Sequence, residues 1–177
     1  MTIEIKRGDV FCSSNPSVGV GLLINAVQWL WSRDGSSTYS HSGVIISDDG
    51  QTLEALPKKV ESQDFLKAYS GDMVLVARPI ARKASNVPTI DTDIDNGLRD
   101  VLKQKGNIYP WWRIPMHIIP PLAKIMIFKR MVCSELVAYY LYKAGSRHDG
   151  YKGTNPDTLA DEWRNWNNFD IIFEGKL

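Results

Sequence analysis

The chain has 177 residues, with 21 basic and 20 acidic side chains, a formal net charge of +1 and 44% hydrophobic residues. That length is enough to bury a real core in a single domain spanning residues 1–177, and the balanced charge removes the electrostatic case for a nucleic-acid partner. Two cysteines and three histidines suggest neither a disulfide scaffold nor a metal cage, so no metal and no cofactor is expected.

The N-terminal segment Met1–Asp9 alternates in character and carries charge, with no apolar stretch of the signal-peptide kind. Asp9 to Ser13 predicts a short strand entered from the turn-like Arg7-Gly8, and Ser14 to Gly21 a loop. Leu22 to Trp31 has helical spacing, with Leu23, Val27 and Leu30 on one face, and the Gly/Ser stretch from Ser32 to Thr38 ends it. Gly43–Ser47 and Thr52–Leu56 predict paired strands joined through Asp48-Asp49-Gly50, with Pro57 as a stop. Ser62 to Tyr69 suits a short helix capped by Ser62, and the β-branched Met73–Ala77 a buried strand after Gly71-Asp72. Thr89 to Lys105 predicts a helix with acidic residues at its start and Lys103 and Lys105 at its end. Cys133 opens another, running to about Ala144 with Gly145 as the stop. In Asn155-Pro156-Asp157 a cap, a proline at the first helical position and an acidic first turn begin a helix to about Trp163, and Phe169–Phe173 is a last strand.

Short strands, irregular connections and interspersed helices predict an α+β domain rather than a doubly wound sheet. No apolar run reaches a membrane span: the longest, Ile108 to Met131, is broken by Pro110, Pro115, Pro120 and Pro121. The expectation is a soluble protein, cytoplasmic by default, with peripheral membrane or cell-wall contact confined to that apolar region.

Three residues carry the chemistry. A thiol at a helix start, as at Cys133, sees unpaired backbone N–H groups and the positive end of the helix dipole, both of which favour thiolate. The competing account is a packed core cysteine, but Cys133 sits at a change of character, with the polar Ser134 and Glu135 ahead of the apolar face that begins at Leu136. His41, between two serines at the mouth of a strand, has the near-neutral pKa of a general base; its bland alternative is a turn histidine. Glu54 points away from Leu53 and Ala55 on the next strand, where the default is a solvent-facing residue. A carboxylate there is suited to hold the distal imidazole nitrogen, whereas Asp48 and Asp49 are needed by the turn. The Cys133 backbone N–H is the natural oxyanion donor, and the Tyr39 hydroxyl a candidate second. Cys12 is expected to be structural, His117 a packing residue and His148 an exposed loop residue. Glu135 is expected to be a helix-start carboxylate. A zinc site is the weakest reading, since the ligands lack compact spacing.

These strings resemble the permuted papain-like hydrolases of the NlpC/P60 superfamily, especially the YiiX-like cysteine hydrolases. Arg7-Gly8-Asp9-Val10-Phe11 resembles the opening strand and Tyr39-Ser40-His41-Ser42-Gly43-Val44 the histidine motif. Leu53-Glu54-Ala55 resembles the glutamate motif, Val132-Cys133-Ser134-Glu135-Leu136-Val137 the cysteine motif, and Asn155-Pro156-Asp157-Thr158-Leu159 the segment after it. Each string alone is weak; their order is fairly specific. The resemblance implies Cys133 as nucleophile, His41 as base and Glu54 as orienting residue. It also implies a small antiparallel sheet or partly open barrel packed against the cysteine helix. The expected activity is thiol-dependent hydrolysis of an amide, as in a cell-wall peptide, with a lipid acyl ester or amide hydrolase or an acyltransferase as the alternative. The Trp- and Pro-rich stretch from Gly106 to Lys129 departs from the compact pattern. It is expected to be a packed connection, with Trp111 and Trp112 as candidate substrate contacts in an apolar lip. A binding module that keeps the cleft without the chemistry is the alternative. Nothing in the pattern specifies an oligomeric state.

Overall fold

The computed structural model describes residues 3–14, 38–80, 90–110, 131–147 and 150–177. The predicted helix Leu22–Trp31, Trp111, Trp112, His117 and His148 lie outside the described residues. In chain order the elements are β1 (Val10–Ser14), β2 (His41–Ile45), β3 (Thr52–Ala55), β4 (Val60–Glu61), α1 (Phe65–Ala68) and β5 (Met73–Pro79). They continue with α2 (Ile90–Leu102), α3 (Cys133–Lys143), α4 (Pro156–Asn165) and β6 (Phe169–Lys176). The six strands form one sheet in the order β4-β3-β2-β1-β5-β6, with every neighbouring pair antiparallel.

The fold is therefore α+β, an antiparallel sheet packed against helices, as the short strands and separate helical patterns predict. Strand alternation divides its core in two. Val10, Cys12, Val44, Leu53, Leu75 and Ala77 face a cluster with Leu136, Val137 and Leu141 of α3, Leu98 of α2 and Leu159 and Trp163 of α4. The residues between them, Phe11, Ile45, Val74 and Val76, face the other way and pack with Phe65 and Tyr69. Phe11 meets both rings edge-on, at 4.9 and 5.0 Å between centroids. Each large apolar side chain buried in these layers stabilises the fold by roughly 1.5–3 kcal/mol.

Local signals explain most boundaries. Asn155 caps α4 by accepting from the Thr158 N–H at 2.7 Å, with Pro156 as the first helical residue. α3 stops at Gly145, whose φ of +70° is open to glycine and strained for other residues. Several boundaries differ from expectation: β2 runs His41–Ile45 rather than Gly43–Ser47, and the helix sought to Lys105 ends at Leu102. The helix sought from Ser62 begins only at Phe65, because Val60 and Glu61 pair with β3 and Asp64 supplies the cap, accepting from Lys67 N–H at 3.0 Å. The last strand extends through Lys176 because it pairs with β5 along its length. Among the described residues no helix is long and apolar enough to cross a membrane.

Candidate active site

The site is assembled by the ends of β2 and α3 and by the middle of β3. His41 is the first residue of β2, and Glu54 lies on the neighbouring strand, where Val44 pairs with Leu53. Glu54 faces away from Leu53 and Ala55, as strand alternation predicts, but it does not face solvent: its side chain is 0% exposed. Room for it comes from Gly43. A Cβ there would lie 2.6 Å from the Phe11 ring and 2.7 Å from Glu54 Cγ, so any larger residue collides with the carboxylate's stem.

His41 Nε2 meets Glu54 Oε2 at 2.6 Å. The Cys133 thiol lies close enough to the same imidazole to act on its pKa. The structure thus brings Cys133, His41 and Glu54 together from positions 13 and 92 residues apart, in the order sulfur, ring, carboxylate (41 to 54 and 41 to 133). Burial alone lowers the His41 pKa. Hydrogen bonds and charge from Cys133 and Glu54 outweigh that and raise it from 6.5 to about 10. Burial likewise opposes ionisation of Glu54, yet its hydrogen bonds, first from His41, pull its pKa below the ordinary 4.5.

Those hydrogen bonds are numerous. Oε1 accepts from the Thr52 hydroxyl and from Gln63 Nε2 at 3.0 Å. Oε2 accepts from His41, from Gln63 Nε2 at 3.0 Å and from the Tyr69 hydroxyl. Thr52, Gln63 and Tyr69 were not singled out from sequence. Thr52 has a legible signal, since it sits two residues before Glu54 on one strand face. Gln63 and Tyr69 arrive through a turn and a helix end, and no periodicity marks them.

Cys133 is the first residue of α3 and is 4% exposed. The first helical hydrogen bond runs from Leu136 N–H to the Val132 carbonyl at 2.9 Å, so the N–H groups of Cys133, Ser134 and Glu135 lie outside the helical ladder. The next two side chains anchor this turn. The Ser134 hydroxyl donates to the Thr154 carbonyl at 2.5 Å, and the buried Glu135 carboxylate accepts from the N–H groups of Val132 and Gly153 at 3.4 and 3.0 Å. Glu135 is thus a helix-start carboxylate.

Four further residues have definite places. Tyr39, sought as a second oxyanion donor, directs its hydroxyl to Glu174 at 3.2 Å, and its ring lies under the Arg164 guanidinium. Cys12 is buried in β1 with its sulfur 3.3 Å from the Pro156 carbonyl, and burial, then Cys133 and Asp157, push its thiol well above the ordinary value. Among the described residues, Ser13, directly opposite His41 in register, and Ser42, the next residue along, bury hydroxyls that have no hydrogen-bond partner. Among the described residues no group of three or more His, Cys, Asp or Glu side chains is arranged to hold a metal ion.

No protein-family model matches the chain, and no curated protein matches it.

Proposed function

We propose that this protein is a thiol-dependent hydrolase of the permuted papain-like NlpC/P60 type, acting on an amide bond with Cys133 as nucleophile, His41 as acid and base, and Glu54 as orienting residue. The observation that carries the reading is the His41 ring, 2.6 Å from the buried Glu54 carboxylate and close enough to the Cys133 thiol for the two groups to raise its pKa together. A surface histidine has no reason to bridge a helix-start thiol and a fully buried anion. The motif resemblance supports the same assignment, and the antiparallel sheet against a cysteine-bearing helix agrees with it.

The chemistry follows from the arrangement. His41 takes the thiol proton, and the sulfur attacks the carbonyl carbon. The Cys133 N–H, outside the helical ladder, donates to the oxygen that becomes negative, aided by the helix dipole. As the tetrahedral adduct collapses, His41 returns its proton to the departing amine and an acyl-thioester remains on Cys133. The neutral imidazole then takes a proton from water, whose oxygen attacks the thioester; the acid leaves and the thiol is restored. Glu54 holds Nε2–H throughout, which keeps Nδ1 toward the sulfur.

Mass spectrometry of the intact protein after exposure to cell-wall peptide fragments, and separately to acyl lipids, tests this. An acyl adduct on Cys133 that is absent in Cys133→Ala is expected from the peptide amides; an adduct from lipids alone redirects the substrate class. A folded protein that neither class acylates, with the two thiols equally slow toward an alkylating reagent, overturns the hydrolase reading in favour of a binding module.

A further inference from the structure

We propose that Tyr69 is a positioning residue of this site: its hydroxyl, donated to the same Glu54 oxygen that holds His41 and aimed by Gln63, keeps the buried carboxylate ionised and pointed at the imidazole. This rests on the assignment of Cys133, His41 and Glu54 made above and assigns the residue that regulates their proton balance.

Tyr69 follows α1, behind β2 and β3, and is 2% exposed. Its hydroxyl meets Glu54 Oε2, the atom that also accepts His41 Nε2 at 2.6 Å. Gln63 Nε2 lies 3.3 Å from the Tyr69 oxygen and 3.0 Å from each carboxylate oxygen. By donating to the phenol oxygen, it turns the phenol's own hydrogen toward Glu54. The Tyr69 ring also stacks beside the His41 ring, with centroids 6.3 Å apart and planes 21° from parallel. One side chain therefore touches both the carboxylate and the imidazole. A purely packing role needs the ring only, and Phe65, at 5.6 Å, already supplies aromatic neighbours for it.

The physical need is plain. A carboxylate buried away from solvent protonates unless hydrogen-bond donors or a cation replace its hydration. Here the donors are Thr52, Gln63 and Tyr69, with His41 as the charged partner. Among the described residues, Cys133 of α3 is the other ionisable group that acts on the ring, and Glu61 of β4 stands across the strand pair from Glu54. Glu61 is opposite Glu54 in register and carries its own partner, Lys59, at 3.4 Å. The hydrogen bond from Tyr69 acts to lower the Glu54 pKa. Its removal raises that pKa, so Glu54 takes a proton at higher pH and releases His41 there.

The test uses the full chain and iodoacetamide, with Cys133 alkylation followed by mass spectrometry from acid to neutral pH. Tyr69→Phe keeps the ring and removes the hydroxyl. It is expected to move the acid midpoint of Cys133 alkylation upward by about one pH unit, the tenfold change in protonation that one such donor to a buried anion supports. Gln63→Leu is expected to shift it in the same direction by less, and carries the test if Tyr69→Phe does not fold. Phe65→Leu, which loosens the same aromatic cluster and leaves the hydroxyl, is expected to leave the midpoint in place. An unchanged midpoint in Tyr69→Phe, or an equal shift in Phe65→Leu, overturns the proposal and leaves the hydrolase reading standing. If the wild-type thiols prove equally slow, the hydrolase reading fails first. The pH at which the His41 Nε2–H nuclear magnetic resonance signal disappears on acidification then decides the Tyr69 proposal alone: higher in Tyr69→Phe supports it, unchanged overturns it.

Discussion

Cys12 and Cys133 are both free and both buried, so burial does not separate them; their partners do. Cys12 lies in the interior of a strand, with a backbone carbonyl as its hydrogen-bond partner and an apolar layer around it. Burial, first of all, holds its proton in place. Cys133 stands at the first position of a helix, beside N–H groups outside the helical ladder and a histidine already fixed by a carboxylate. The same side chain becomes an inert packing group or a proposed nucleophile according to what accepts its proton.

The largest test of that contrast removes the acceptor. His41→Ala is expected to slow alkylation of Cys133 on the order of tenfold to a hundredfold at neutral pH and to leave Cys12 unchanged, since thiolate supply and nucleophilicity partly offset each other. Equal slowing of both thiols breaks the comparison. Next in size is Gly43→Ala. Its new methyl would meet the Phe11 ring at 2.6 Å and Glu54 Cγ at 2.7 Å, an overpacking that costs about 1–3 kcal/mol. Urea denaturation is expected to show that loss, and alkylation to show Cys133 slowed with it.

A pH series sharpens the comparison further. His41 has a folded pKa raised from 6.5 to about 10, so its stabilising contribution is complete below 6.5 and is lost as pH rises through 10. Glu54 is depressed below 4.5, so its contribution is present above 4.5 and is lost as pH falls through the lower folded value. Urea midpoints are therefore expected to decline from pH 6.5 toward 10, and His41→Ala to flatten that decline. A decline of equal size in the variant assigns it to other groups. The smallest effect belongs to Cys12→Ala, which trims one buried sulfur. It is expected to cost on the order of 1 kcal/mol in urea denaturation and to leave the rate at Cys133 within about twofold, because Cys12 lies outside the proton path.

Much of the fold was legible before any coordinates. The Asp48-Asp49-Gly50 turn, the Asn155-Pro156 helix start and the Gly145 stop are local chemistry, and the corresponding elements stand where that chemistry puts them. The places of His41, Glu54 and Cys133, at a strand mouth, on an alternating strand and at a helix start, were legible too. What surrounds them was not. Glu54 carries the same alternation whether its face meets water or the Phe11, Phe65 and Tyr69 layer, and only that layer makes it a buried anion. Tyr39 had the right chemistry and neighbourhood for an oxyanion donor, yet the return of β6 offers its hydroxyl Glu174 instead.

The sequence by itself determined which residue types were available and where the chain turns, caps and alternates, because those depend on neighbours within a few positions. Tertiary structure alone decided that the Cys133 sulfur shares a ring with Glu54, that Gly43 makes room for the carboxylate and that Tyr69 and Gln63 surround it. Hydrogen bonds and desolvation act over a few ångströms of space, whatever the separation along the chain.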